Sequence, residues 1–188
     1  MAIRGGSWRR TLASPNTDKD VNISFFMEVI LKETAGKNST YAIFPGRMFS
    51  GTGSGSETNR AIVVEDDKIK EVADSDSLNL APNVKIIEAE GKTLLPGLID
   101  VHVHTYNNGE EKAKEYPAGA LTGYLALRSF INAREDLRCG FTTVRDCSSR
   151  RYVDVALKQS IESGELIGPR MIVSGHGLSM TGGHGDVK

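Results

Sequence analysis

The chain has 188 residues, of which 39% are hydrophobic, enough for one or two domains with a real core. Its 23 basic and 24 acidic residues leave a net charge of −1, which gives no electrostatic footprint for nucleic acid or an acidic membrane surface. No run reaches the ~18 consecutive apolar residues of a membrane-spanning helix.

Residues 1–38 differ from the rest in composition. Arg4, Arg9 and Arg10 precede any acidic residue, and Ser and Thr are frequent. The apolar core of a secretory signal is missing, and no apolar stretch follows Arg9-Arg10. The segment reads as a disordered extension, with organelle targeting as the alternative. Residues 41–44 and 61–64 are short β-like runs. Between them lies a flexible turn segment, Ser50-Gly51-Thr52-Gly53-Ser54-Gly55-Ser56. Glu65-Asp66-Asp67-Lys68 predicts a hairpin turn and residues 69–72 its return strand. Residues 84–88 predict a further strand, with Ala89-Glu90-Gly91-Lys92 turning out of it. Short strands repeated in this way predict a small β unit over residues 39–95.

From Pro96 the pattern changes. Leu94, Leu95, Leu98, Ile99 and Val101 are apolar, and Pro96-Gly97 breaks any helical period, so a short, fully buried strand is predicted. Ala118, Leu121, Leu125, Ile131 and Leu137 set a helical stripe over residues 117–137. Val153, Leu157 and Ile161 step by four, and Gly164 is placed to end that helix. Strand, helix, strand, helix, strand is the order of parallel βαβ units, so residues 96–188 are predicted to be α/β.

The predicted strand ends in His102-Val103-His104. Alternation sends residues i and i+2 to one face, so the two imidazoles point together, as two ligands of one metal must. A polar strand end is the plain alternative. In α/β folds the C-terminal ends of strands are where sites lie. Imidazole suits zinc and similar divalent ions, which activate water and polarise an amide carbonyl. Asp100, two residues earlier, falls by the same alternation on the histidines' face. It is expected to accept a hydrogen bond there, as partners of metal-bound histidines do, instead of binding the metal. The other two histidines are His176 and His184, in one Gly-rich segment. His184 sits between glycines in a loop after a strand and is a candidate substrate-binding residue. His176 faces the interior or is structural. Arg145-Asp146 closes a strand as an internal ion pair or loop anchor, with a substrate-carboxylate contact by Arg145 as the alternative. Cys139 and Cys147 form no Cys-x-x-Cys pattern and read as free thiols of a reducing, cytoplasmic compartment.

Three segments then act together. Gly91-Lys92-Thr93-Leu94-Leu95-Pro96-Gly97-Leu98-Ile99-Asp100-Val101-His102-Val103-His104 resembles the first barrel strand of the amidohydrolase superfamily. Gly140-Phe141-Thr142-Thr143-Val144-Arg145-Asp146 resembles the second, and Gly168-Pro169-Arg170-Met171-Ile172-Val173-Ser174-Gly175 the third. The following loop, Met180-Thr181-Gly182-Gly183-His184-Gly185, is similar to the branch of Xaa-Pro dipeptidases, imidazolonepropionase and ochratoxin-hydrolysing amidases. The resemblance spans residues 41–188. It implies a partial (β/α)8 TIM-type barrel over residues 96–188, about the first three strands. It also implies a β-sandwich-like unit over residues 39–95, one half of a composite sandwich. It further implies that His102 and His104 hold the more buried of one or two divalent ions, most naturally zinc. The implied reaction is hydrolysis of a C–N bond in a small amide, peptide-like or cyclic amide substrate, by a homo-oligomer at full length. A bridging lysine, two further histidines and a catalytic aspartate belong to later strands of such a barrel, and Lys188 is not assigned to that lysine. The expectation is therefore an N-terminal portion that is inactive alone and contains no identifiable catalytic residue. A non-catalytic remnant or interaction fragment and a metal-dependent phosphoesterase are the alternatives.

Overall fold

The computed structural model describes residues 39–53, 55–107 and 121–183. The expected extension, residues 1–38, lies outside the described residues.

Strands β1 (Thr40–Phe49), β2 (Ser56–Glu57), β3 (Arg60–Glu65), β4 (Lys68–Asp74) and β5 (Lys85–Leu94) form a single five-stranded sheet. β1 lies at its centre, antiparallel to β3 on one side and parallel to β5 on the other. Ile43, Met48, Val64 and Leu94 make its buried core, with Ile62 and Ile87 packed against them. The sandwich-like unit expected from the sequence thus takes the form of one sheet among the described residues. The turn expected at residues 89–92 is instead inside β5. Pro45 pairs with Ala89, and the next matched pair is Arg47 with Thr93, so β5 bulges there. Gly91 takes φ +75 at the bulge, and a Cβ on Gly46 would lie 2.7 Å from its nitrogen. Two glycines let the strands stay paired across the bulge.

The second sheet holds β6 (Leu98–Val103), β7 (Phe141–Asp146) and β8 (Arg170–Val173), parallel and in that order. Helix α1 (Thr122–Arg138) connects β6 to β7, and α2 (Val153–Glu162) connects β7 to β8. Residues 117–120 of the expected first helix lie outside the described residues. α1 buries Leu125, Ser129, Ala133 and Leu137, one residue per turn, and α2 buries Val153, Leu157 and Ile161. Ala133, Leu157 and Ile161 meet Val144 of β7 and Met171 of β8, and Val103 packs against this cluster from β6. The helices therefore cover one face of the parallel sheet. No helix among the described residues is long and apolar enough to cross a membrane.

One expectation is corrected here. β6 is not a fully buried strand: Ile99 is 65% and Val101 62% exposed. Continuous apolar strands belong to sheets covered on both faces. Here β6 pairs with β7 alone and has helices on one face alone, so its apolar composition exceeds its burial among the described residues.

The approach to β6 is tight. A Cβ on Gly97 would lie 2.7 Å from the Cβ of Thr142, an atom that side-chain rotation cannot move away. Gly97→Ala is expected to lower stability by about 1–3 kcal/mol, the usual cost of overpacking, as read by urea unfolding. An unchanged midpoint would show that β6 and β7 separate freely at this point.

Candidate metal centre

The register of β6 on β7 shapes the site. Asp100 lies opposite Val144, and Val103 opposite Asp146. Three steps on β6 thus match two on β7, and β6 carries an extra residue between Asp100 and Val103. The Val101 carbonyl at this bulge accepts the Nε–H of Arg145 at 2.8 Å and the Cys147 thiol at 3.6 Å. The ladder resumes where the Cys147 N–H reaches the Val103 carbonyl at 3.0 Å. Bulges re-aim side chains near sites.

Val103 turns toward the helices, and the histidines flanking it take the other face. Their ring centroids lie 5.2 Å apart with planes at 83°. The pairing of His102 with His104 follows from alternation over these three residues alone. The longer alternation expected to carry Asp100 onto their face is interrupted by the bulge. Asp100 instead accepts the backbone N–H of His102 at 2.9 Å through Oδ1. It fixes the backbone that carries the first imidazole.

His104 is held through its ring. Its Nδ1 lies 3.1 Å from the Ser148 carbonyl oxygen. A carbonyl has no proton to give, so Nδ1 carries the hydrogen and donates. In the neutral ring this leaves the lone pair on Nε2. Metal-binding histidines use their second nitrogen in this way. Ser148 acts through its backbone, and a backbone carbonyl leaves no mark in a sequence. The available signal was only that the loop after β7 must run beside the end of β6.

Asp146 is fully buried and anchors that loop. Its Oδ2 accepts the Thr105 N–H at 3.0 Å and the Thr105 hydroxyl at 2.6 Å, and its Oδ1 accepts the Ser148 N–H at 3.2 Å. Asn132 of α1 donates to the Thr105 carbonyl at 2.7 Å. On the far side, the Ser149 N–H donates to the Gly175 carbonyl at 2.7 Å, and the Gly175 N–H donates to Oδ2 of buried Asp154 at 2.8 Å. Thr105, Asn132, Ser148 and Asp154 were not singled out from the sequence, because each acts through a neighbour that only the fold supplies.

His176 meets the edge of Tyr152, with centroids 4.5 Å apart at 89°. Arg151 and Tyr152 both hold left-handed backbone, with φ 55 and φ 56, an uncommon arrangement for two consecutive residues with side chains. His184 lies outside the described residues. Cys139 and Cys147 are free thiols.

The two imidazoles fit two positions of a zinc-type donor set, since both rings share one face and one has its outer nitrogen occupied. Among the described residues no group of three His, Cys, Asp or Glu side chains converges as a metal site.

The profile of the Amidohydrolase family matches residues 93–187. Ochratoxinase of Aspergillus niger is 31% identical over 96 residues, which are 50% of this chain and 19% of the relative. Dihydroorotase of Bacillus cereus (strain G9842) is 35% identical over 77 residues, which are 39% of this chain and 17% of the relative. The crystal structure of an Xaa-Pro dipeptidase with bound methionine in its active site superposes with a TM-score of 0.71 at 29% identity. It covers 79% of this chain and 36% of that one. The chain thus spans under a fifth of the length of these curated relatives. The matched region contains β6, β7, β8 and both imidazoles, and with it the chain belongs to the amidohydrolase family.

Proposed function

We propose that this chain contributes His102 and His104 to the divalent-metal site of a hydrolase that cleaves C–N bonds in small amide, peptide-like or cyclic amide substrates. In this reading β6, β7 and β8 are the first three strands of a (β/α)8 barrel over residues 96–188, and residues 39–95 are an accompanying β unit. The carrying observation is the His104 ring, whose Nδ1 is engaged by the Ser148 carbonyl while the His102 ring stands 5.2 Å away. Family membership and the likeness to a dipeptidase and a dihydroorotase support the substrate class.

Zinc is the ion that suits two imidazoles at a strand end, and when bound it would polarise the substrate carbonyl and make water a nucleophile at neutral pH. The chain's own residues do the holding. Asp100 fixes the backbone of His102, and the Ser148 carbonyl orients the ring of His104. His184 is proposed as a substrate contact. One observation favours a second reading, a non-catalytic interaction fragment: among the described residues the two imidazoles are one ligand short of a catalytic zinc site.

The test is hydrolysis of a panel of Xaa-Pro dipeptides, N-acyl amino acids and cyclic amides with added zinc. Residues 1–188 alone are expected to give no turnover. A longer form carrying further barrel strands is expected to give turnover that chelation removes and that His104→Ala lowers by at least about 10–100-fold, the loss that even an outer partner of a metal ligand costs. Chelator-resistant turnover, or full activity in His104→Ala, would overturn the assignment.

A further inference from the structure

We propose that Asp146, a residue outside the ligand pair, is the positioning residue that sets which nitrogen of His104 faces the site. The inference rests on the metal-site reading for its purpose, but its geometry stands by itself. Asp146 grips two points with one carboxylate. Oδ2 holds Thr105, the residue after His104, by its N–H at 3.0 Å and its hydroxyl at 2.6 Å. Oδ1 holds the Ser148 N–H at 3.2 Å, in the residue whose carbonyl receives His104 Nδ1 at 3.1 Å. The imidazole and its acceptor are therefore fixed to the same buried side chain from opposite sides. The direction of the Ser148 carbonyl has a second brace. A trans peptide points its C=O and N–H in opposite directions. The Ser149 N–H is held by the Gly175 carbonyl at 2.7 Å, which turns the Ser148 C=O away from Gly175 and toward His104.

This arrangement requires a carboxylate. All three groups reaching Asp146 are donors, and its two side-chain oxygens are the acceptors that meet them. Asp146→Asn keeps the shape but replaces one acceptor by an NH2 group. With its oxygen toward Thr105, the amide faces the Ser148 N–H donor to donor, and the loop is released from its His104 side. The Ser149–Gly175 brace and the Asn132–Thr105 bond remain, which favours retention of the fold.

The experiment reads the tautomer of His104 directly, by long-range proton–nitrogen NMR on the metal-free 188-residue chain, beside a zinc titration. The wild-type ring is expected as a single Nδ1–H form. Asp146→Asn is expected to convert it to a mixture with the Nε2–H form and to weaken zinc binding by about 10–100-fold, the usual effect of losing an outer partner. Ser148→Ala keeps the backbone carbonyl and is expected to keep the wild-type tautomer. If Asp146→Asn unfolds, Thr105→Val, which removes one of the three donors, is expected to give the same mixture to a smaller degree. A folded Asp146→Asn or Thr105→Val chain with an unchanged Nδ1–H ring would overturn the positioning role. A tautomer shift in a chain that never binds zinc would uphold it while sinking the metal-site reading.

Discussion

Replacing both His102 and His104 by alanine is expected to abolish zinc binding by this chain, a loss of more than about 100-fold, beyond the roughly 10–100-fold that removal of an outer partner costs. The size of the effect follows from the count of donors. Among the described residues no third side chain converges with the pair. In the proposed site zinc would therefore be held by two nitrogens, and the wild-type affinity is itself expected to be weak. Either single substitution leaves one imidazole and should already remove most of the binding. His176→Ala is the control, because that ring packs on Tyr152 and leaves the pair untouched. Calorimetric titration of zinc into the wild type, the double variant, the two single variants and His176→Ala is the measurement. A double variant that binds as wild type would remove the site from β6.

The fold was legible where local pattern decides it. Alternation paired His102 with His104 because the two are separated by one residue, too short a span for a bulge to disturb. Stepping by four found α2 through Val153, Leu157 and Ile161, since a helix buries one residue per turn whatever lies beneath. Reading failed where a second strand decides. Asp100 was placed by the same alternation, but the extra residue between Asp100 and Val103 exists only relative to β7. Gly91 read as a turn residue, yet its left-handed backbone serves a bulge that keeps β5 on β1. The exposure of β6 was missed because apolar composition records the surroundings a strand is suited to, and it does not show which of them a given chain supplies. Arg145 and Asp146 were expected to act as an ion pair or an anchor. The structure divides the work: Arg145 reaches back to the Val101 carbonyl, while Asp146 anchors the loop.

The chain is expected to self-associate through the uncovered face of the parallel sheet. Ile99 lies opposite Thr143, and Ile172 opposite Arg145. Thr143 and Arg145 alternate with Val144, which packs on the helices, so Ile99 and Ile172 stand on the face without helices. In the barrel reading this face is the interior. Here Ile99 is 65% and Ile172 53% exposed. Beside them runs the outer edge of β6, which pairs with nothing among the described residues. Burying an aliphatic side chain of this size is worth about 1.5–3 kcal/mol, and an open edge offers backbone pairing as well. Two copies meeting at this face cover four such side chains before any contribution from the edge. Sedimentation velocity is expected to show a coefficient that rises with loading concentration. Ile99→Lys combined with Ile172→Lys puts charge on the face in the way natural edges are protected, and should hold the chain monomeric over the same range. A wild-type chain that sediments as a single monomer at every concentration would show that this face is already covered within the chain.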